Sequence, residues 1–199
     1  MKRTIVLLSI VVLTFGSAVA QEISSRAKAL RMMHFTRPEY MIKDIKILAD
    51  TMTLYTLSEH VIYPFGKWNS IEQYITSGQL RWERKIGYKQ FYDSMNVSVN
   101  TLERIDGSHI DVYRSIWTGL MEILGAKITD PEIVYDNGLH TGMSKQDVFN
   151  VFFDSHPQSY TSDIHVLKVV SAANEVSQIY TFKGRKLRHI EVVSRYKYY

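Results

Sequence analysis

Between His109 and Trp117 the chain alternates with a period of two. Ile110, Val112 and Ile116 fall on one face with Arg114, while His109, Asp111, Tyr113, Ser115 and Trp117 fall on the other. Such alternation predicts a strand with one face toward a core and a wetter face that still carries aromatic rings. Downstream the period changes. Gly138–Phe153 reads G-L-H-T-G-M-S-K-Q-D-V-F-N-V-F-F, a glycine turn followed by a helix. Ser144 is placed as N-cap, with Asp147 three residues on in a weak capping-box position. Val148, Phe149, Val151, Phe152 and Phe153 then form a wide apolar helix face. Three strand-like runs follow, Ile164–Ser171, Val176–Phe182 and Leu187–Val193, with Gly184 turning between the last two.

The first half has the same vocabulary. Residues 21–44 form a lead-in, with a short helix carrying Ala27, Ala29, Leu30, Met32 and Met33 that Thr36-Arg37-Pro38 ends. Thr51–Leu57 reads as a strand, helix being the alternative around Ile45–Ala49, and Val61-Ile62-Tyr63 is another strand-like run broken by Pro64 and Gly66. Ser70-Ile71-Glu72-Gln73 opens a helix that Gly78 stops. Leu80–Ser94 fits a further helix through Trp82, Ile86, Phe91 and Tyr92, weakened by Gly87. Met95–Ile105 and Gly119–Ile128 read as strands, and Asp106-Gly107 as the central pair of a hairpin turn.

Val61–Gly66 and Ile133–Gly138 share the order apolar, apolar, Tyr, two turn residues, Gly, and a Ser-capped helix follows each. The identities are few, and coincidence explains them as readily as a repeat. The expected fold class is α+β, with helices packed on one face of an antiparallel β-sheet, arranged as two tandem similar units over residues 45–117 and 118–199.

Composition adds a compartment. Lys2 and Arg3, the apolar run Ile5–Phe15 and the small residues Ser17-Ala18-Val19-Ala20 read as a signal peptide over residues 1–20, cut after Ala20. The apolar run is short for a bilayer span. A mature chain starting at Gln21 lacks the Cys of a lipoprotein, so the expected location is periplasmic or extracellular, with no transmembrane segment after processing. Loss of Lys2 and Arg3 takes the 24 basic residues to 22 against 20 acidic ones, so the net charge is small. Lys183–Arg188 reads as a solvated hairpin tip and not as a nucleic-acid footprint. The chain has no Cys, which excludes disulfides, thiol nucleophiles and thiolate metal sites.

Candidate chemistry is sparse. Ser25-Arg26-Ala27-Lys28 satisfies S-x-x-K, but no Ser-Asp-Asn or Lys-Thr-Gly accompanies it. The seven histidines include no pair spaced i, i+4 and no H-E-x-x-H. G-x-S-x-G, phosphate loops and G-x-G-x-x-G are also missing. No catalytic residue, metal ligand or cofactor is therefore assigned. Tyr113 and Trp117, with Asp111 on the same strand face, are the candidate binding residues, because Tyr and Trp combine rigid contact area with a polar handle. Ordinary packing competes as an explanation for them.

Gly142-Met143-Ser144-Lys145-Gln146-Asp147-Val148, followed by Pro157, resembles the Gly-Met-Ser/Thr-x-x-x-Val motif of small secreted α+β domains. That motif is shared by outer-membrane assembly lipoproteins of the SmpA type and by β-lactamase inhibitor proteins. The resemblance implies a helix followed by strands, and the tandem spacing is similar to the inhibitor proteins' two units with a joined sheet. This chain departs in lacking the late-helix glycine near Asp154-Ser155, the lipoprotein Cys and the inhibitors' disulfides. The motif starts a helix, so no binding role transfers with it. The functional expectation is an exported non-enzymatic binding or interaction module whose partner is a protein or another envelope component. A small-ligand or glycan binder is the alternative, and an exported hydrolase the third.

Overall fold

The computed structural model describes residues 20–77, 82–91, 95–171 and 176–194. A helix, α1, runs over 20–33. The hairpin β1 (Ile42–Leu48) and β2 (Thr51–Thr56) follows, then α2 (Ile71–Ser77). Next comes a meander of β3 (Glu83–Phe91), β4 (Met95–Glu103), β5 (His109–Arg114) and β6 (Met121–Ile128). Helix α3 (Lys145–Phe152) leads into β7 (Val166–Ser171), β8 (Val176–Lys183) and β9 (Lys186–Ser194).

These strands make one mixed nine-stranded sheet in the order β1-β2-β7-β8-β9-β6-β5-β4-β3. Every neighbouring pair is antiparallel except β2 and β7, which run parallel from Thr51 opposite Val166 to Thr56 opposite Ser171. The fold is mostly β with a few helices. An antiparallel sheet was the expectation, and β2–β7 corrects it. A parallel neighbour needs a long crossover connection, which here consists of everything from α2 to α3. Strands drawn from residues 45–117 consequently lie at both ends of the sheet, with those of 118–199 between them.

One face of the sheet carries the core. Met52 and Leu54 on β2, Leu167 and Val169 on β7, Tyr180 and Phe182 on β8, and Ile110 and Val112 on β5 are buried in a single cluster with residues of all three helices. Helix α1 supplies Ala29 and Met32, α2 supplies Ile71 and Tyr74, and α3 supplies Val148, Phe149 and Phe152. Phe149 stacks against Phe153 and Phe182, each at a ring separation of 6.1 Å. The Ser144 hydroxyl accepts from the Asp147 N–H at 3.1 Å, as its N-cap position requires, and donates to the Asp147 carboxylate at 2.6 Å. Phe153 lies just past the helix in extended backbone, yet is fully buried.

Local expectations failed where periodicity could not see neighbours. Leu80–Ser94 was open to a helix, but Glu83–Phe91 is the edge strand β3, paired along its length with β4. Val61-Ile62-Tyr63 and Ile133-Val134-Tyr135 are not strands. The first continues a 3-10 turn, Glu59–Val61, and both lead into tight turns in which a glycine N–H returns to the tyrosine carbonyl, Gly66 to Tyr63 and Gly138 to Tyr135. In the β4–β5 hairpin the Gly107 N–H bonds the Arg104 carbonyl, so Ile105 and Asp106 are the central residues and Gly107, at φ 85°, takes the left-handed position after them. Asp106-Gly107 is thus displaced by one position from the expected turn. The helix stop at Gly78, the Ala172-Ala173-Asn174 connection, the signal segment before residue 20 and the C-terminal tyrosines lie outside the described residues.

Candidate functional site

The three residues singled out on the wetter face of β5 are not brought together as an exposed patch. The Asp111 carboxylate is half-buried and accepts from the Thr101 hydroxyl at 2.6 Å on the neighbouring strand. Tyr113 is only 7% exposed, packs with Val99 and Leu124 in a small cluster apart from the main core, and donates its hydroxyl to Glu122 at 2.8 Å. Trp117 is 86% exposed. The strand ends at Arg114, and residues 115–120 close a turn in which the Gly119 N–H bonds the Ser115 carbonyl and the Ser115 N–H bonds the Leu120 carbonyl. Period-two parity stops applying there, so Ile116 is 61% exposed instead of facing the core, and Trp117 leaves the strand face.

Around Tyr113 the chain builds a buried polar knot. Glu122, 4% exposed, accepts from Tyr63 at 3.3 Å, Tyr113 at 2.8 Å and Thr118 at 2.8 Å. Three hydroxyl donors, from the loop before α2, from β5 and from the β5–β6 turn, give the buried Glu122 oxygens hydrogen-bond partners that burial would otherwise deny them.

The face opposite the helices is crossed by rows of register partners. One row runs Tyr55, Val170, Ser177, Val193, Gly125, Asp111, Thr101 and Lys85 over eight strands. A second runs Lys46, Thr53, Lys168, Ile179, Glu191, Lys127, His109, Glu103 and Glu83 over all nine. Val193 at the centre of the first row is 45% exposed, so this face is not roofed there. Lys46 sits over the Tyr55 ring at 5.0 Å and Lys85 holds Glu103 at 2.5 Å, so the two rows are partly paired with each other.

Two clefts collect chemistry from separated segments. The first, about 340 Å3, brings together Glu39, Ser58, Glu59, His60, Tyr63, Lys67 and Asp136. Serine, histidine and carboxylates meet here, yet the Ser58 hydroxyl accepts from the His60 backbone N–H at 3.4 Å, and Lys67 holds Glu59 at 2.5 Å. Among the described residues no hydrogen bond joins that hydroxyl to an imidazole nitrogen, so the couple a hydrolase would use is not formed. Lys28 of the S-x-x-K sequence lies over the Tyr160 ring at 5.9 Å, which accounts for its position. No group of three or more His, Asp or Glu among the described residues is placed to hold a metal ion.

The second cleft, about 540 Å3, has Lys183, Lys186, Leu187 and Arg188 of the β8–β9 hairpin on one side and Thr129, Pro131, Thr141 and Gly142 on the other. Sequence reading treated Lys183–Arg188 as a solvated tip because the opposing wall lies some forty to sixty positions earlier in the chain. The local signal was the cationic run itself, K-G-R-K-L-R. The hairpin is fastened to that wall by backbone bonds from Gly142 to Leu187 and from Lys145 to Arg185, both 2.8 Å. Arg185 also helps hold Lys145 below its ordinary value, although burial is the larger cause and Asp163 opposes both.

No family model, no curated protein and no solved structure matches the chain.

Proposed function

We propose that the chain is an exported, non-enzymatic binding or protein-interaction module whose partner is a protein or another envelope component, and that the sheet face opposite the helices is its working surface. The observation carrying this reading is Val193, an apolar residue on a strand in the middle of a nine-stranded sheet, which is 45% exposed on the face opposite the helices. Exposed apolar positions set among charged ones are the composition of a recognition surface. Among the described residues no helix is long and apolar enough to cross a membrane.

The tandem reading belongs to the same proposal. Tyr63–Gly66 and Tyr135–Gly138 close with the same Gly-to-Tyr bond, and Ser70 and Ser144 cap their helices through the same donor position, Gln73 at 3.2 Å and Asp147 at 3.1 Å. A meander follows each helix. With the boundary between residues 117 and 118, two related units would meet at the β2–β7 and β5–β6 seams of one joined sheet, similar to the joined sheet of the inhibitor proteins that the Gly142–Val148 motif resembles.

The test is capture from the native envelope fraction with the wild-type chain and with Val193→Asp. A partner retained by the wild type and lost by the variant supports the reading, and a partner held equally by both counts against this face. N-terminal sequencing of the exported product should begin at Gln21, and a product retaining Met1 would overturn the export proposal. Glycan binding is the second reading, favoured by the 86% exposure of Trp117. It predicts a change in Trp fluorescence on titration with envelope polysaccharides that Trp117→Ala abolishes.

A further inference from the structure

Cations at a hairpin tip are ordinarily solvated, and three features set the β8–β9 cleft apart. First, Lys183, Lys186 and Arg188 face a second wall, so the charges border a concavity with Pro131 as its exposed apolar element, Leu187 being turned into the core. Second, Arg188 is the extra residue of a β-bulge. Thr181 pairs with His189 and Phe182 with Leu187, which leaves Arg188 without a register partner on β8. A bulge re-aims the side chain it carries, and this one gives Arg188 to the cleft lining. Third, the charge is not cancelled. The lining contains no carboxylate, and among the described residues no ion pair joins Lys183, Arg185, Lys186 or Arg188 to an acidic side chain. The acidic residues that flank the opposing wall are each engaged by a neighbour. Arg104 holds Asp130 at 2.5 Å and Glu132 at 2.6 Å, and Asp106 is engaged by Ser108 and Thr129.

We infer that this cleft is a binding site for a phosphorylated ligand, whose phosphate oxygens are held by Lys183, Lys186 and Arg188 while Pro131 takes the carbon portion. Two ammonium groups and one guanidinium offer many donors with no carboxylate in the lining to compete, and the planar guanidinium suits bidentate contact with phosphate. The cleft volume of about 540 Å3 exceeds what a bare phosphate needs, which favours a phosphate carried on a larger body. The inference is independent of the open sheet face, because it uses a different surface.

The experiment has two arms on the purified protein. In the soluble arm, inorganic pyrophosphate and glycerol 3-phosphate are titrated by calorimetry. In the lipid arm, phosphatidylcholine vesicles with and without phosphatidic acid are tested by co-sedimentation. Saturable binding in either arm is expected to weaken about tenfold in Arg188→Gln and again in Lys183→Gln/Lys186→Gln, and to fall as salt rises. Arg188→Lys should recover part of the loss. Lys168→Gln, which removes a cation from the open sheet face, should leave binding unchanged. The arm that responds identifies the source as a soluble ester or a lipid headgroup. The inference is overturned if neither arm binds, or if the cleft variants and Lys168→Gln behave alike while circular dichroism shows all of them folded.

Discussion

Glu122 and its three hydroxyl partners show how a residue singled out for binding can serve stability instead. Tyr113→Phe removes a donor from a buried carboxylate, and hydrogen bonds to charged groups contribute ~1.5–3 kcal/mol, so the variant should lose about that much. Trp117→Ala touches an exposed turn residue and should change stability by no more than ~0.5 kcal/mol. Urea unfolding of both variants checks the contrast, and equal losses would refute it. His156 makes a second residue-scale prediction. Burial beside Phe149 and Phe153, at ring separations of 5.5 and 5.8 Å, holds its pKa below the ordinary 6.5. The unfolded chain therefore takes up this proton before the folded chain does. Stability from keeping His156 neutral is present above pH 6.5 and is lost as pH falls from there through the folded value. His156→Gln should flatten that part of the pH–stability curve, as measured by thermal melts from about pH 7.5 downward.

Elements succeed or fail here with their turns. Gly66 has φ 88°, and an added Cβ would stand 2.9 Å from the Asp136 carboxylate, a flexible surface group able to move. The backbone penalty persists, so Gly66→Ala should cost ~1–2 kcal/mol. Ala49 between β1 and β2 occupies the same left-handed region at φ 51°, and its Cβ incurs strain that glycine would relieve. Ala49→Gly should therefore be stabilising or neutral by denaturant midpoint, unlike Gly in an ordinary position. The two substitutions thus act in opposite directions for one reason. Helix α3 was legible because its cap, its first-turn acid and its apolar face all lie within ten residues. Strand β3 was not, since Trp82, Ile86 and Phe91 fit a helix as well as a strand, and only pairing with β4 decides.

At the scale of the molecule, the sheet has two faces with different tolerances. Ile190 lies in the core at 0% exposure, while Val193, three residues on, lies on the open side at 45%. Ile190→Ala should cost ~2–5 kcal/mol, whereas Val193→Asp should cost about 1 kcal/mol or less, because it gives up little buried area. A comparable loss in both, read from chemical denaturation, would mean that the second face is covered after all. The β8–β9 hairpin and the Thr129–Gly142 wall belong to this scale too. Neither the concavity nor the commitment of Asp130 and Glu132 to Arg104 exists until segments far apart in the chain are brought together.

The sequence by itself determined the short-range features: the Ser144 cap, the apolar face of α3, the alternation of β5 up to Val112, and the last three strands with their turn at Gly184. Each depends on contacts a few residues apart, which periodicity and capping chemistry encode directly. Tertiary structure decided the parallel joining of β2 to β7, the burial of Tyr113, the departure of Trp117 from its strand and the gathering of Lys183, Lys186 and Arg188 at one cleft. These follow from strand order and from a bulge between β8 and β9, where the balance lies between distant segments competing for the same partners, and no local pattern records the result.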